Sequence, residues 1–183
     1  HFNTNDEIHT KRVKDELKEL DADSCFIFLG HGASHSIYGS PRGNDRTVFF
    51  TKKEIEGLGC QLCFIACRSA ELLNEKNNSI GFGDIPTDFI YDVLAMREFD
   101  SNYLIDIDES DIESFKLIFI DAIKSAFELW FFYKDFSILK LNSFFRLFIN
   151  KKICNLLLMK EINNYRNIAN ILYNLKQELY YKP

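Results

Sequence analysis

Two residues of this sequence, His31 and Cys67, have side chains able to form a nucleophilic pair, and each closes a short apolar run. Cys25-Phe26-Ile27-Phe28-Leu29-Gly30 stops at His31-Gly32, and Gln61-Leu62-Cys63-Phe64-Ile65 stops at Ala66-Cys67. A thiol becomes a strong nucleophile as the thiolate, and an imidazole beside it favours that form. Gly32 lacks a Cβ, so its backbone N–H is free to approach an oxygen on which negative charge develops. Each residue has a plainer reading. Cysteine is common in buried strands with no chemistry to do, and a loop histidine often only bonds the backbone. His35 is a rival base, but it lies farther from the apolar run and has no glycine beside it.

The pairing depends on the elements that carry it. Both runs read as strands, and Lys52–Leu58 between them reads as a helix, with Thr51 as cap and Glu54 completing a capping box. Strand, crossover and strand, spanning about 30 residues, make a parallel pair. The carboxyl ends then share one edge of the sheet, with neighbouring strands roughly 4.8 Å apart. Ligands bind at that edge in open parallel sheets. From Ala33 to Thr51 the chain reads as a loop. Ser36-Ile37-Tyr38-Gly39 and Thr47-Val48-Phe49-Phe50 are expected to pair as short strands, and Pro41-Arg42-Gly43-Asn44-Asp45 supplies the turn.

These residues also carry a resemblance. A hydrophobic block, His-Gly, a second hydrophobic block and Ala-Cys is similar to the pattern of the caspase-like cysteine peptidases, among them the CHAT domains. Ala66-Cys67-Arg68 resembles the caspase Ala-Cys-Arg, with Ile65 in place of the usual Gln and Ser69 in place of the usual Gly. Phe64-Ile65-Ala66-Cys67-Arg68-Ser69-Ala70 is closer to the CHAT form, as is the later Ile80-Gly81-Phe82. The resemblance covers residues 20–90 well and extends loosely to about 135.

It implies an α/β, caspase-like (flavodoxin-like) fold, with a mostly parallel sheet flanked by helices and a helical C-terminal part. It also implies a cysteine endopeptidase with His31 and Cys67 as catalytic dyad, and Gly32 and Cys67 amides as oxyanion hole. The substrate would be a protein or peptide, and no cofactor or metal is required. CHAT relatives often belong to larger proteins or complexes that activate them, and several act in prokaryotic antiviral defence, including with CRISPR complexes. The alternative is a catalytically inactive caspase-like module that docks partners through its Phe-rich helices. Selection of Asp substrates would use Arg42, Arg46 or Arg68, and selection of basic ones Glu71 or Asp84.

Bulk composition fits this class. The 183 residues are 46% hydrophobic and 15% aromatic, enough for a real core. A net charge of −5 gives no electrostatic case for direct nucleic-acid binding. Five cysteines form no framework-like spacing, which points to a reducing, cytoplasmic setting. Cys60-x-x-Cys63 lacks the further ligands that zinc requires. The sequence opens on His rather than Met, and no strand precedes the first helix, so a fragment with its N-terminal strand missing is expected.

Residues 4–20 read as that first helix, capped by Thr4 or Asn5. Ser69 is expected to cap a short helix over Ala70–Lys76, Ser79–Ile85 to form a third strand, and Pro86-Thr87-Asp88 to open a further helix. Ser101–Asp108 reads as strand or loop. The acidic run from Asp106 to Asp111 suits a helix cap better than a calcium loop. Long helices are expected over Glu109–Lys134, Phe136–Ile149 and Glu161–Tyr180. Charges interrupt every long apolar run, so no membrane association is expected. Two domains follow: a caspase-like CHAT peptidase domain over residues 1–135, and a helical extension over 136–183 packed on it or on a partner.

Overall fold

The computed structural model describes residues 7–39, 47–134 and 136–183. The chain forms two compact units, one running to Ile85 and regaining Glu178–Pro183, the other comprising Pro86–Gln177.

The first unit is α/β. Its sheet has strand order β1 (Cys25–Leu29), β5 (Gln61–Ile65), β6 (Ser79–Gly81), β7 (Tyr180–Lys182). The first three strands are parallel, and β7 joins β6 antiparallel. Register pairs Cys25 with Gln61 and Leu29 with Ile65, so β1 and β5 end level with each other. A second sheet of three antiparallel strands, β2 (His31–Ala33), β3 (Ser36–Tyr38) and β4 (Val48–Thr51), follows β1 directly. It holds the expected pairing of the Ser36 and Thr47 segments. The Pro41–Asp45 turn, Arg42 and Arg46 lie outside the described residues, as do Thr4 and Asn5.

Alternation within the strands builds the core. Phe26 and Phe28 of β1 meet Phe64 of β5 at ring-centroid distances of 5.4 and 5.8 Å, and Phe26 meets Phe50 of β4 at 6.2 Å. Ile37, Phe50, Ile55, Leu62, Phe64 and Leu73 are wholly buried there, with Val13, Leu17 and Leu20 packed against them. Those last residues come from α1 (Glu7–Lys18) and the turn after it. Helix α2 (Lys52–Glu56) carries the expected capping box between Thr51 and Glu54. Lys14 of α1 reaches Glu54 at 2.8 Å.

The second unit is helical. Asp88 caps a π-helical segment, Phe89–Leu94, which continues as α4 (Ala95–Arg97). Arg97 donates to the carbonyls of Tyr103, Leu104 and Ile107, pinning the turns that occupy the 101–106 stretch. Asp108 and Asp111 form a reciprocal capping box on α5 (Glu109–Tyr133), the role expected of the acidic run. Helices α5, α6 (Ile138–Met159) and α7 (Tyr165–Gln177) pack on one another. Buried Phe115, Ala126, Leu141, Phe145, Ile168 and Leu172 fill their centre.

Several expectations change. α5 packs with α6 and α7, so the compact units divide at Ile85–Pro86 rather than at residue 135. α6 runs ten residues beyond Ile149, to Met159, where Lys152 pairs with Asp121 and Leu156, one turn on along the same face, stays buried. α7 starts late, since Asn164 at φ 55° donates its amide to Asp111 at 2.9 Å. It stops early because the last residues form β7. Among the described residues no helix is long and apolar enough to cross a membrane.

Candidate active site

His31 and Cys67 follow the level ends of β1 and β5. The Gly30 amide donates to the Ile65 carbonyl at 3.3 Å, carrying the pairing one residue past β1. Beyond it, the chain at Gly32 presses on the turn after β5. A Cβ built on Gly32 would stand 2.7 Å from the Cys67 carbonyl oxygen and 2.9 Å from the Ala66 Cβ. Only glycine permits that approach, which brings the His31-Gly32 and Ala66-Cys67 backbones into contact. His31 is the first residue of a strand, not a loop residue as its place after the apolar run suggested. β2 is an edge strand of its sheet, so alternate N–H groups on it face away from β3.

The Cys67 thiol is half-buried and donates to the Ile85 carbonyl at 3.2 Å. His31 is exposed, and its ring makes no hydrogen bond or ion pair with any described residue. The rival base, His35, lies beyond the strand in a turn, with Nε2 3.5 Å from the Tyr38 hydroxyl.

Comparison with family models, curated proteins and solved structures finds no match. The site is therefore read from its own geometry. The turn after Cys67 is built by Arg68, at φ 55°, and by Ser69, which is wholly buried. Ser69 does not cap the short helix α3 (Ser69–Leu72) but is its first residue, since Arg68 takes the cap position. Arg68 is bound by Glu71 through two bonds of 2.9 Å. Those bonds, and the Glu71 and Asp84 charges, hold its guanidinium even more firmly protonated. Its charge is thus largely matched within the turn. Glu178, just before β7, accepts the Asp84 amide at 3.2 Å.

The other thiols of this unit are shifted by their surroundings. Burial, with a lesser push from Cys60, raises Cys25 to about 12. Burial likewise raises Cys60, and raises Cys63 well above the ordinary thiol value. All three are kept protonated at neutral pH, the state in which a thiol is inert. Among the described residues no group of three His, Cys, Asp or Glu side chains is arranged to hold a metal.

The Ile85 carbonyl and the Ser69 hydroxyl were not foreseen as parts of this site. A backbone acceptor leaves no mark on composition. The serine did have a signal, since a small polar residue two places after a strand-end cysteine is well placed to bond the turn that carries it.

Proposed function

We propose that this chain is a caspase-like cysteine endopeptidase of the CHAT type. The observation that carries the reading is the contact between Gly32 and the Cys67 carbonyl, which joins the two chain segments bearing an imidazole and a thiol. In this reading the Cys67 thiolate attacks the scissile carbonyl, and the new C–S bond gives a tetrahedral oxyanion. The Gly32 and Cys67 amides stabilise that charge. His31, protonated, donates its proton to the leaving amine as the C–N bond breaks, and water then hydrolyses the thioester. The substrate is a protein or peptide, the setting is cytoplasmic, and activation comes from a larger protein or complex, with antiviral defence the context its CHAT-like motif suggests.

The lack of a bond between the His31 ring and any described residue, and the thiol's bond to Ile85, favour a second reading, a catalytically silent module that docks partners. Leu117, Ile120, Phe132, Leu139 and Leu158 are exposed on α5 and α6 and would supply its contacts. A peptide-library cleavage assay separates the two. The peptidase reading expects Cys67→Ala to abolish cleavage and His31→Ala to lower it about a hundredfold or more, while Cys60→Ala and Cys63→Ala retain substantial activity. Cleavage by Cys67→Ala at the wild-type rate would remove the proposed nucleophile.

A further inference from the structure

Cys67 lies in a turn that needs holding. Arg68 adopts φ 55°, a left-handed conformation unfavourable for a residue with a side chain. Besides the thiol's own bond to the Ile85 carbonyl, this turn is stitched to the chain after β6 by bonds at Arg68, Ser69 and Ala70. The Arg68 amide donates to the Gly83 carbonyl at 2.9 Å and the Ala70 amide to the Phe82 carbonyl at 2.8 Å. At Ser69 the Phe82 amide donates to Oγ at 2.9 Å. Apart from the thiol itself, Ser69 is the residue whose side chain takes part in this stitching.

Ser69 Oγ also lies 2.8 Å from both the Phe64 and the Ala66 carbonyl oxygens. A hydroxyl has one proton to give and two lone pairs to accept with. Ser69 uses both functions, accepting a hydrogen bond from the Phe82 N–H and directing its own proton at the residues just before Cys67. The group is fully buried, so no water competes for these bonds. Space around it is equally constrained, because a Cβ on Gly81 would fall 2.6 Å from the Ser69 carbonyl and the Ala70 amide nitrogen.

We infer that Ser69 is a positioning residue for Cys67, its hydroxyl fixing where the thiol stands relative to His31-Gly32. The inference rests on the reading of Cys67 as nucleophile, but it is testable without peptidase activity. Wild type, Ser69→Ala and Ser69→Thr, the last keeping the hydroxyl, are compared at a temperature where circular dichroism shows each folded. One readout is the pH profile of iodoacetamide alkylation at Cys67, followed by mass spectrometry. The other is kcat and KM on a cleaved peptide.

Ser69→Ala is expected to shift the alkylation profile and to lower kcat about a hundredfold, with KM little changed, and Ser69→Thr to recover both. A profile alike in wild type and Ser69→Ala, or alike in Ser69→Ala and Ser69→Thr, overturns the inference. Should Ser69→Ala not fold, Gly81→Ala takes its place, since it keeps the hydroxyl but crowds the backbone around it, and an unshifted profile there is equally fatal. If wild type cleaves no peptide without its activating partner, the alkylation profiles alone decide for or against Ser69.

Discussion

The absence of a Cβ at Gly32 lets the His31 and Cys67 segments touch. Adding a methyl forces the strand carrying His31 away from the turn carrying Cys67, since the new Cβ would meet the Cys67 carbonyl at 2.7 Å. Overpacking of this kind costs about 1–3 kcal/mol, and a displacement near 1 Å between reacting groups costs about a hundredfold in rate. Gly32→Ala is therefore expected to unfold at lower denaturant and to lose cleavage far beyond its loss of folded protein. Equilibrium unfolding and kcat/KM on the same preparation check this. Cleavage that fell only in step with stability would show that the Gly32 contact has no part in the chemistry. At this scale much was legible. The apolar runs ending before His31-Gly32 and Ala66-Cys67 marked two strands, and the parallel pairing of those strands is observed. The thiol's partner, a backbone carbonyl 18 residues along, left no trace in residue types.

Among the elements, the legible ones have their signals close together in the chain. Thr51 with Glu54 and Asp108 with Asp111 are caps that satisfy a helix's first amides from within one turn, and both helices start where these pairs place them. Elements fixed by distant partners were not legible. β7 is three residues long and exists because β6 offers it an edge. His31-Gly32-Ala33 was not legible either, although its partner Ser36–Tyr38 is near in the chain, because three residues including a glycine carry no strand pattern of their own. Glu54 shows how one cap also joins elements. Burial pushes its carboxyl up, but the Lys14 ammonium and the Thr51 amide and hydroxyl outweigh this and bring it down to about 2. The folded value lies below the ordinary 4.5, so the stabilisation is present above that pH and is lost as pH falls through the folded value. Acid titration of stability should show this loss between about pH 4.5 and 2 in wild type, and a smaller one in Glu54→Gln. Equal acid sensitivity of the two would mean that the Lys14–Glu54 pair contributes nothing.

On the scale of the molecule, the chain leaves the α/β unit at Ile85, builds a helical unit, and returns to complete the first sheet. The last residues are therefore part of the fold that carries Cys67. Tyr180 donates its hydroxyl to the Asn74 carbonyl at 2.8 Å, and Tyr180–Lys182 pairs along the whole of β6. A chain ending at Gln177 loses that pairing and the Glu178 bond to Asp84. Hydrogen exchange at Ser79–Gly81 is expected to quicken, and unfolding of the α/β unit to occur at lower temperature. Unchanged protection of those amides would show β7 to be dispensable. The sequence pattern placed the final stretch in a helix because Ile168, Leu172, Leu175 and Leu179 keep a helical spacing to the end, although the backbone turns to strand one residue after Leu179.

The central claim is that His31 activates Cys67, and a peptidyl acyloxymethyl ketone, which alkylates an activated cysteine thiolate at a peptide-binding site, tests it most directly. Wild type should be labelled at Cys67, with half-buried Cys25 and buried Cys60 and Cys63, all held protonated, untouched. Cys67→Ala should take up no label at this site, and His31→Ala should label about a hundredfold more slowly. Labelling of His31→Ala at the wild-type rate, or of exposed Cys154 in place of Cys67, would contradict the account.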